Sequence, residues 1–152
     1  MNLPPPDPRH PARAHQSRWV AAVKAGFAYF AMIFTLAFAM GVLRAMLVAP
    51  AVGDEGAVAI ELLILLPVSW VAAGFLVRRF RVQGLGPRLA MGALALCLVL
   101  SGEAVLALGW LDRSLVQFLN DFRKPGALLG LIGQTIFALM PAVRLITGKV
   151  AR

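Results

Sequence analysis

The chain has 152 residues, 60% of them hydrophobic and only 14% charged, with a mean hydropathy of +0.79. A soluble domain of this size carries about a quarter charged residues, so the composition excludes an ordinary water-soluble fold and points to membrane spans. The formal charge of +8 would suit nucleic acid, but the basic residues flank apolar blocks, as membrane topology requires, and no nucleic-acid partner is expected.

Residues 1–20 open with "MNLPPPDPRHPARAHQSR", which holds five prolines and no apolar periodicity. They read as a disordered, basic, proline-rich tail. A four-transmembrane-helix domain is expected over 21–149. The first span, 24–48, contains "AGFAYFAMIFTLAFAMGVL" and is broken by Pro50, Gly53, Asp54 and Glu55. "APA" at Ala49 to Ala51 resembles a signal-peptide cleavage site. The apolar run before it is too long for a signal core, and Arg44 sits just ahead of it, so the segment is expected to stay in the protein.

The second span, 56–77, contains "AIELLILLPVSW", an apolar run that nonetheless carries Glu61 and Pro67. Arg78, Arg79 and Arg81 end it, and "VQGLGP" makes a turn. The third span, 88–111, is followed by the polar, faintly amphipathic "DRSLVQFLNDFRKPG". The fourth, 126–146, contains Gln134 and Pro141 and leads to a basic end, "TGKVAR". Each block is about 20 residues or slightly more, enough to cross a hydrocarbon core of about 30 Å. None alternates in polarity as a barrel strand would. The expected fold is all-α, an integral membrane four-helix bundle.

Basic residues set its orientation. Eleven fall on one side: Arg9, Arg13, Arg18 and Lys24, then Arg78, Arg79, Arg81 and Arg88, then Arg144, Lys149 and Arg152. Only four fall on the other, Arg44, Arg113, Arg123 and Lys124, offset by Asp54, Glu55, Asp112 and Asp121. The positive-inside rule then places the N- and C-termini in the cytoplasm.

Within this topology four polar side chains reach similar depths. Arg44 and Glu61 lie roughly 8 Å below the non-cytoplasmic surface, Glu103 and Gln134 roughly 12 Å. A lone charge in hydrocarbon costs about 2.5 to 3.5 kcal/mol on insertion scales. Arg44 is therefore expected to pair with Glu61 or Glu103, with Gln134 as a hydrogen-bonding neighbour. Such a layer could be purely structural, fixing helix register. It could instead handle a proton or substrate, with Glu103 the deepest carboxylate. Arg44 and Glu61 could also simply snorkel.

Gly126, Gly130 and Gln134 share one face of the fourth span, a small-residue helix-packing pattern, and Ala37 and Gly41 could supply a matching surface. Trp19 and Trp110 read as belt anchors at opposite interfaces, and Cys97, the single cysteine, as a small core residue. The two histidines, His10 and His15, are in the tail, so the spans offer no histidine for a metal, and no cofactor is expected. No nucleophile-and-base arrangement, P-loop or dinucleotide fingerprint occurs. The chain is not expected to be an enzyme.

"IELLILLPVSW" with "VRRF", then "RLAMGALAL" and "E…DRS", resemble a family of small uncharacterised four-helix inner-membrane proteins of proteobacteria. The residues carrying the resemblance are Glu61, Pro67, Ser69, Trp70, Arg78, Arg79, Arg88, Met91, Gly92, Glu103 and Ser114. It covers Arg44 to Pro141 and implies a bacterial inner-membrane location without implying an activity. The expected function is that of a multi-pass membrane protein, structural or an accessory subunit of a membrane complex. Its partners would be the lipid bilayer and either another membrane protein or further copies of itself. The alternative is a small oligomeric proton-linked transporter or channel component using Arg44, Glu61, Glu103 and Gln134.

Overall fold

The computed structural model describes residues 10–110, 114–121 and 123–150, with side chains for 16–109, 114–117, 120 and 123–145. Arg9, Asp112, Arg113 and Arg152 lie outside the described residues, as do the side chains of His10, Arg13, His15, Trp110, Asp121 and Lys149.

Helix α1 spans His10–Leu43 and runs into a π-helical turn, Arg44–Val48. Helix α2 spans Ala49–Arg79, and α3 spans Leu85–Val105 with a second π turn at Leu106–Trp110. The short α4 spans Leu115–Asp121 and α5 spans Pro125–Val150. No strand occurs among the described residues. Because α1 begins at His10, residues 10–20 are helical and not part of a disordered tail.

Three helical stretches are long and apolar enough to cross a membrane: Gln16–Arg79, Leu85–Gly109 and Pro125–Leu145. The first has 64 residues, which would extend about 96 Å if straight. It is not straight. Gly53, at φ 78° and ψ 165°, occupies a region open essentially only to glycine. Beyond it the chain doubles back, and Tyr29 of α1 reaches Ser69 of α2.

The other helix ends follow from local chemistry. At the C-terminus of α2, Val82 N–H bonds Val77 O and Arg81 N–H bonds Arg78 O, the paired bonds of a Schellman cap. Arg81 takes the left-handed position at φ 53° where glycine is usual, and Val82 is buried behind it. Gly84, at φ 87° and ψ 158°, starts α3. Arg88 Nε–H donates to Val82 O at 3.1 Å and ties α3 to the turn. At α4, Ser114 and Gln117 exchange side-chain and backbone hydrogen bonds, a capping box written in "SLVQ".

The main contacts run α1–α3, α3–α5, α5–α2 and α2–α1, closing a ring of four helices. Its core is built on Tyr29, Met91 and many alanines, among them Ala22, Ala25, Ala73 and Ala95, with no exposed surface. Small residues let the backbones approach closely. A methyl on Gly92 would collide with the carbonyl of Ala138, marking the tightest α3–α5 contact, and one on Gly26 would lie 3.0 Å from Met91 O of α3.

The Gly126 and Gly130 pattern does not make the packing seam expected of it. Gly126 has only ordinary contacts with α2, Gly130 faces open space, and Gly133 takes Leu62 instead. All three glycines border one cavity between α5 and α2, and of them only Gly133 is closed upon by an α2 side chain, that of Leu62. Gly41 also faces open space. Cys97 is on the exposed exterior, not in the core. That exterior is apolar: Met46, Leu63 and Val71 are 71%, 75% and 65% exposed. Such a surface is suited to lipid, and in water it would be an aggregation liability.

Candidate functional site: a polar cavity at the Gly53 end of the bundle

The reversal at Gly53 aligns Arg44 with Glu61. They stand nine residues before and eight residues after it, so on two antiparallel helices rising about 1.5 Å per residue they reach nearly the same height. Arg44 Nε lies 2.9 Å from Glu61 Oε2. The N–H is not aligned for a hydrogen bond, so the contact is a charge pair more than a directed bond. Arg44 opens the first π turn, and π turns recur where a helix re-aims a functional side chain.

Glu103 and Gln134 form the other half of the layer. Glu103 is near the end of α3, just before the second π turn, and Gln134 lies nine residues into α5. Gln134 Nε2 donates to Glu103 Oε1 at 2.5 Å. The arginine thus pairs with Glu61, and Glu103 is held by a neutral amide.

All four side chains face one cavity of about 690 Å³. Its mouth is lined by Asp54, Glu55 and Lys124, at the helix-connecting end. Its walls include Phe34, Leu62, Val99 and Phe137, and its deepest members are Ser69 and Phe137. One water needs only about 10–15 Å³ of such space, so this is a roomy chamber, with a few polar and charged side chains set in largely apolar walls. Gly130 lines it, which accounts for the open space around that glycine.

Tyr29 closes the floor. It is fully buried, and its ring stacks on Phe137 with centroids 4.4 Å apart. Its hydroxyl lies 3.1 Å from Phe137 O, 3.3 Å from Ser69 O and 3.8 Å from Met140 Sδ. One hydroxyl hydrogen serves one acceptor at a time, and Phe137 O is the one that needs it. Pro141 lacks the N–H that would have bonded that carbonyl four residues back.

A second polar cluster lies toward the other end. The Arg144 guanidinium sits 4.4 Å from the Trp70 ring centroid and donates from Nε and Nη2 to Trp70 O at 3.2 and 2.8 Å. Gly74 makes room for it, since a methyl there would meet the guanidinium at 2.5 Å. This is a cation–π contact combined with hydrogen bonds.

Sequence reasoning passed over Tyr29, the Arg144–Trp70 pair and the charges at the cavity mouth. A signal for Tyr29 did exist. It is the only tyrosine, it lies in an apolar run, and a buried hydroxyl needs an acceptor, while Pro141 necessarily strands one. Trp19 packs its ring edge against Gly86 at the start of α3. No protein-family model, curated protein or solved structure matches this chain.

Proposed function

We propose that the chain is a four-span protein of the bacterial inner membrane, with both termini in the cytoplasm. Its cavity opens toward the opposite side and takes up protons or a small charged ligand, as one component of a transport or channel assembly. The observation that carries this reading is fixed charge together with space. A purely structural ion pair is best served by tight packing that excludes water. Here Arg44, Glu61, Glu103 and Gln134 surround about 690 Å³.

The reversal at Gly53 supports two crossings within the 64-residue stretch. The basic residues, eleven against four, support the orientation. A second reading, an accessory subunit with a structural polar layer, is favoured by the floor at Tyr29 and Phe137. A chamber closed there offers no continuous path through a single chain.

Thiol labelling separates the two. In a Cys97→Ser background, Gly130→Cys puts a thiol on the cavity wall, Glu55→Cys on the exposed mouth and Ala73→Cys in the core. A charged, membrane-impermeant reagent added from the non-cytoplasmic side is expected to modify the first two and spare the third. If it modifies Glu55→Cys alone, the chamber is closed to water and the accessory reading replaces the transport one.

A further inference from the structure

We infer that the cavity is a binding site for a monovalent organic cation, an ammonium or phosphonium centre bearing apolar substituents, with Glu103 as its counter-charge. This deepens the proposed function and rests on the chamber being open.

Charge gives the first argument. Four carboxylates line the cavity, Asp54, Glu55, Glu61 and Glu103, against two cationic side chains, Arg44 and Lys124. Arg44 is committed to Glu61 at 2.9 Å. Lys124 is at the mouth, next to Pro125 at the start of α5. Glu103, in the interior, is met by Gln134, which supplies a hydrogen bond but no charge. The interior therefore favours a guest that brings one positive charge.

The walls give the second argument. Beside Glu103 the lining is Ile33, Phe34, Val99 and Phe137, which suits alkyl or aryl groups, and the aromatic rings can face a cation. A volume of about 690 Å³ falls within the range of roughly 300–1,000 Å³ usual for small-molecule pockets. A hard metal ion is a poor match, because it takes six or more oxygen ligands. Among the described residues no three acidic, histidine or cysteine side chains converge. An anion is disfavoured by the same charge balance, and a sugar by the scarcity of donors and acceptors on these walls.

The test is tetraphenylphosphonium binding to the purified full-length chain in mild detergent, by equilibrium dialysis or calorimetry. Saturable binding is expected. Glu103→Gln should weaken it by about tenfold or more, the scale of one charge-assisted contact. Arg44→Gln should strengthen it, because it frees Glu61. The gain must be in saturable, one-to-one binding, since apolar surface exposed by misfolding would add only partitioning that does not saturate. Should Glu103→Gln fail to give a monodisperse protein, Glu103→Asp keeps the charge and must keep binding.

Equal affinity in wild type and Glu103→Gln would mean apolar partitioning only and would overturn the proposal. So would the absence of saturable binding, or weaker binding by Arg44→Gln. If binding fails while the Gly130→Cys variant is labelled by an impermeant reagent, the cation site is wrong and the open chamber stands. If both fail, the reading beneath it falls as well.

Discussion

Tyr29 and Pro141 are distant in sequence yet form a single device. Proline strands the carbonyl of Phe137, and the tyrosine hydroxyl, 3.1 Å away, satisfies it. Removing the hydroxyl with Tyr29→Phe orphans a buried carbonyl and should destabilise the protein by about 1 kcal/mol, the net worth of such a bond. The same substitution in a Pro141→Ala background should cost less, because residue 141 then has its own N–H for Phe137 O. A double-mutant cycle by denaturation in detergent measures this coupling. Equal costs in the two backgrounds would break the link. Arg44 and Glu61 follow a related logic: each makes the other tolerable where a lone charge would be expensive.

At the level of helices, glycines divide into those that admit a neighbour and those that face space. Gly92 leaves no room for a methyl beneath Ala138's carbonyl, and the obstacle is backbone, which cannot rotate away. Gly92→Ala should therefore force α3 and α5 apart and cost about 3 kcal/mol or more, comparable to overpacking at its worst. Gly130→Ala meets nothing within 4 Å and should be neutral or stabilising by up to about 1 kcal/mol through helix propensity. Thermal unfolding of the two variants ranks them, and the reverse order would contradict this account of α5. Gly53 and Gly84 serve differently: each adopts a positive φ at a change of chain direction, where a side chain would strain the backbone.

For the whole molecule, the proposed topology places the Gly53 reversal and the cavity mouth outside the cytoplasm and both termini inside. A C-terminal fusion to alkaline phosphatase should be inactive, and one to a fluorescent protein should be bright. Phosphatase fused after residue 55 should be active. An active C-terminal phosphatase fusion would invert or re-count the crossings. The arrangement also gathers the basic ends of α2 and α5, with Arg78, Arg79 and Arg144, at the end remote from the cavity. Among the described side chains the bundle is thus cationic at one end, and its carboxylates, Asp54, Glu55, Glu61 and Glu103, lie toward the other.

The sequence by itself determined that the chain is helical and apolar enough to cross a membrane, because run length and composition are local properties. It also placed Arg44, Glu61, Glu103 and Gln134 at comparable depths, since depth along a helix is counted in residues. What it could not contain is azimuth, the direction in which each helix face turns. Only the tertiary structure decided that Arg44 meets Glu61 and not Glu103, that Gly133 and not Gly130 takes α2, and that Cys97 faces outward. Apolar residues surround every face of these helices, so periodicity carries no phase, and packing of small residues against neighbouring backbones sets the rotation instead. The space between the paired side chains, on which the proposed function rests, follows from that rotation.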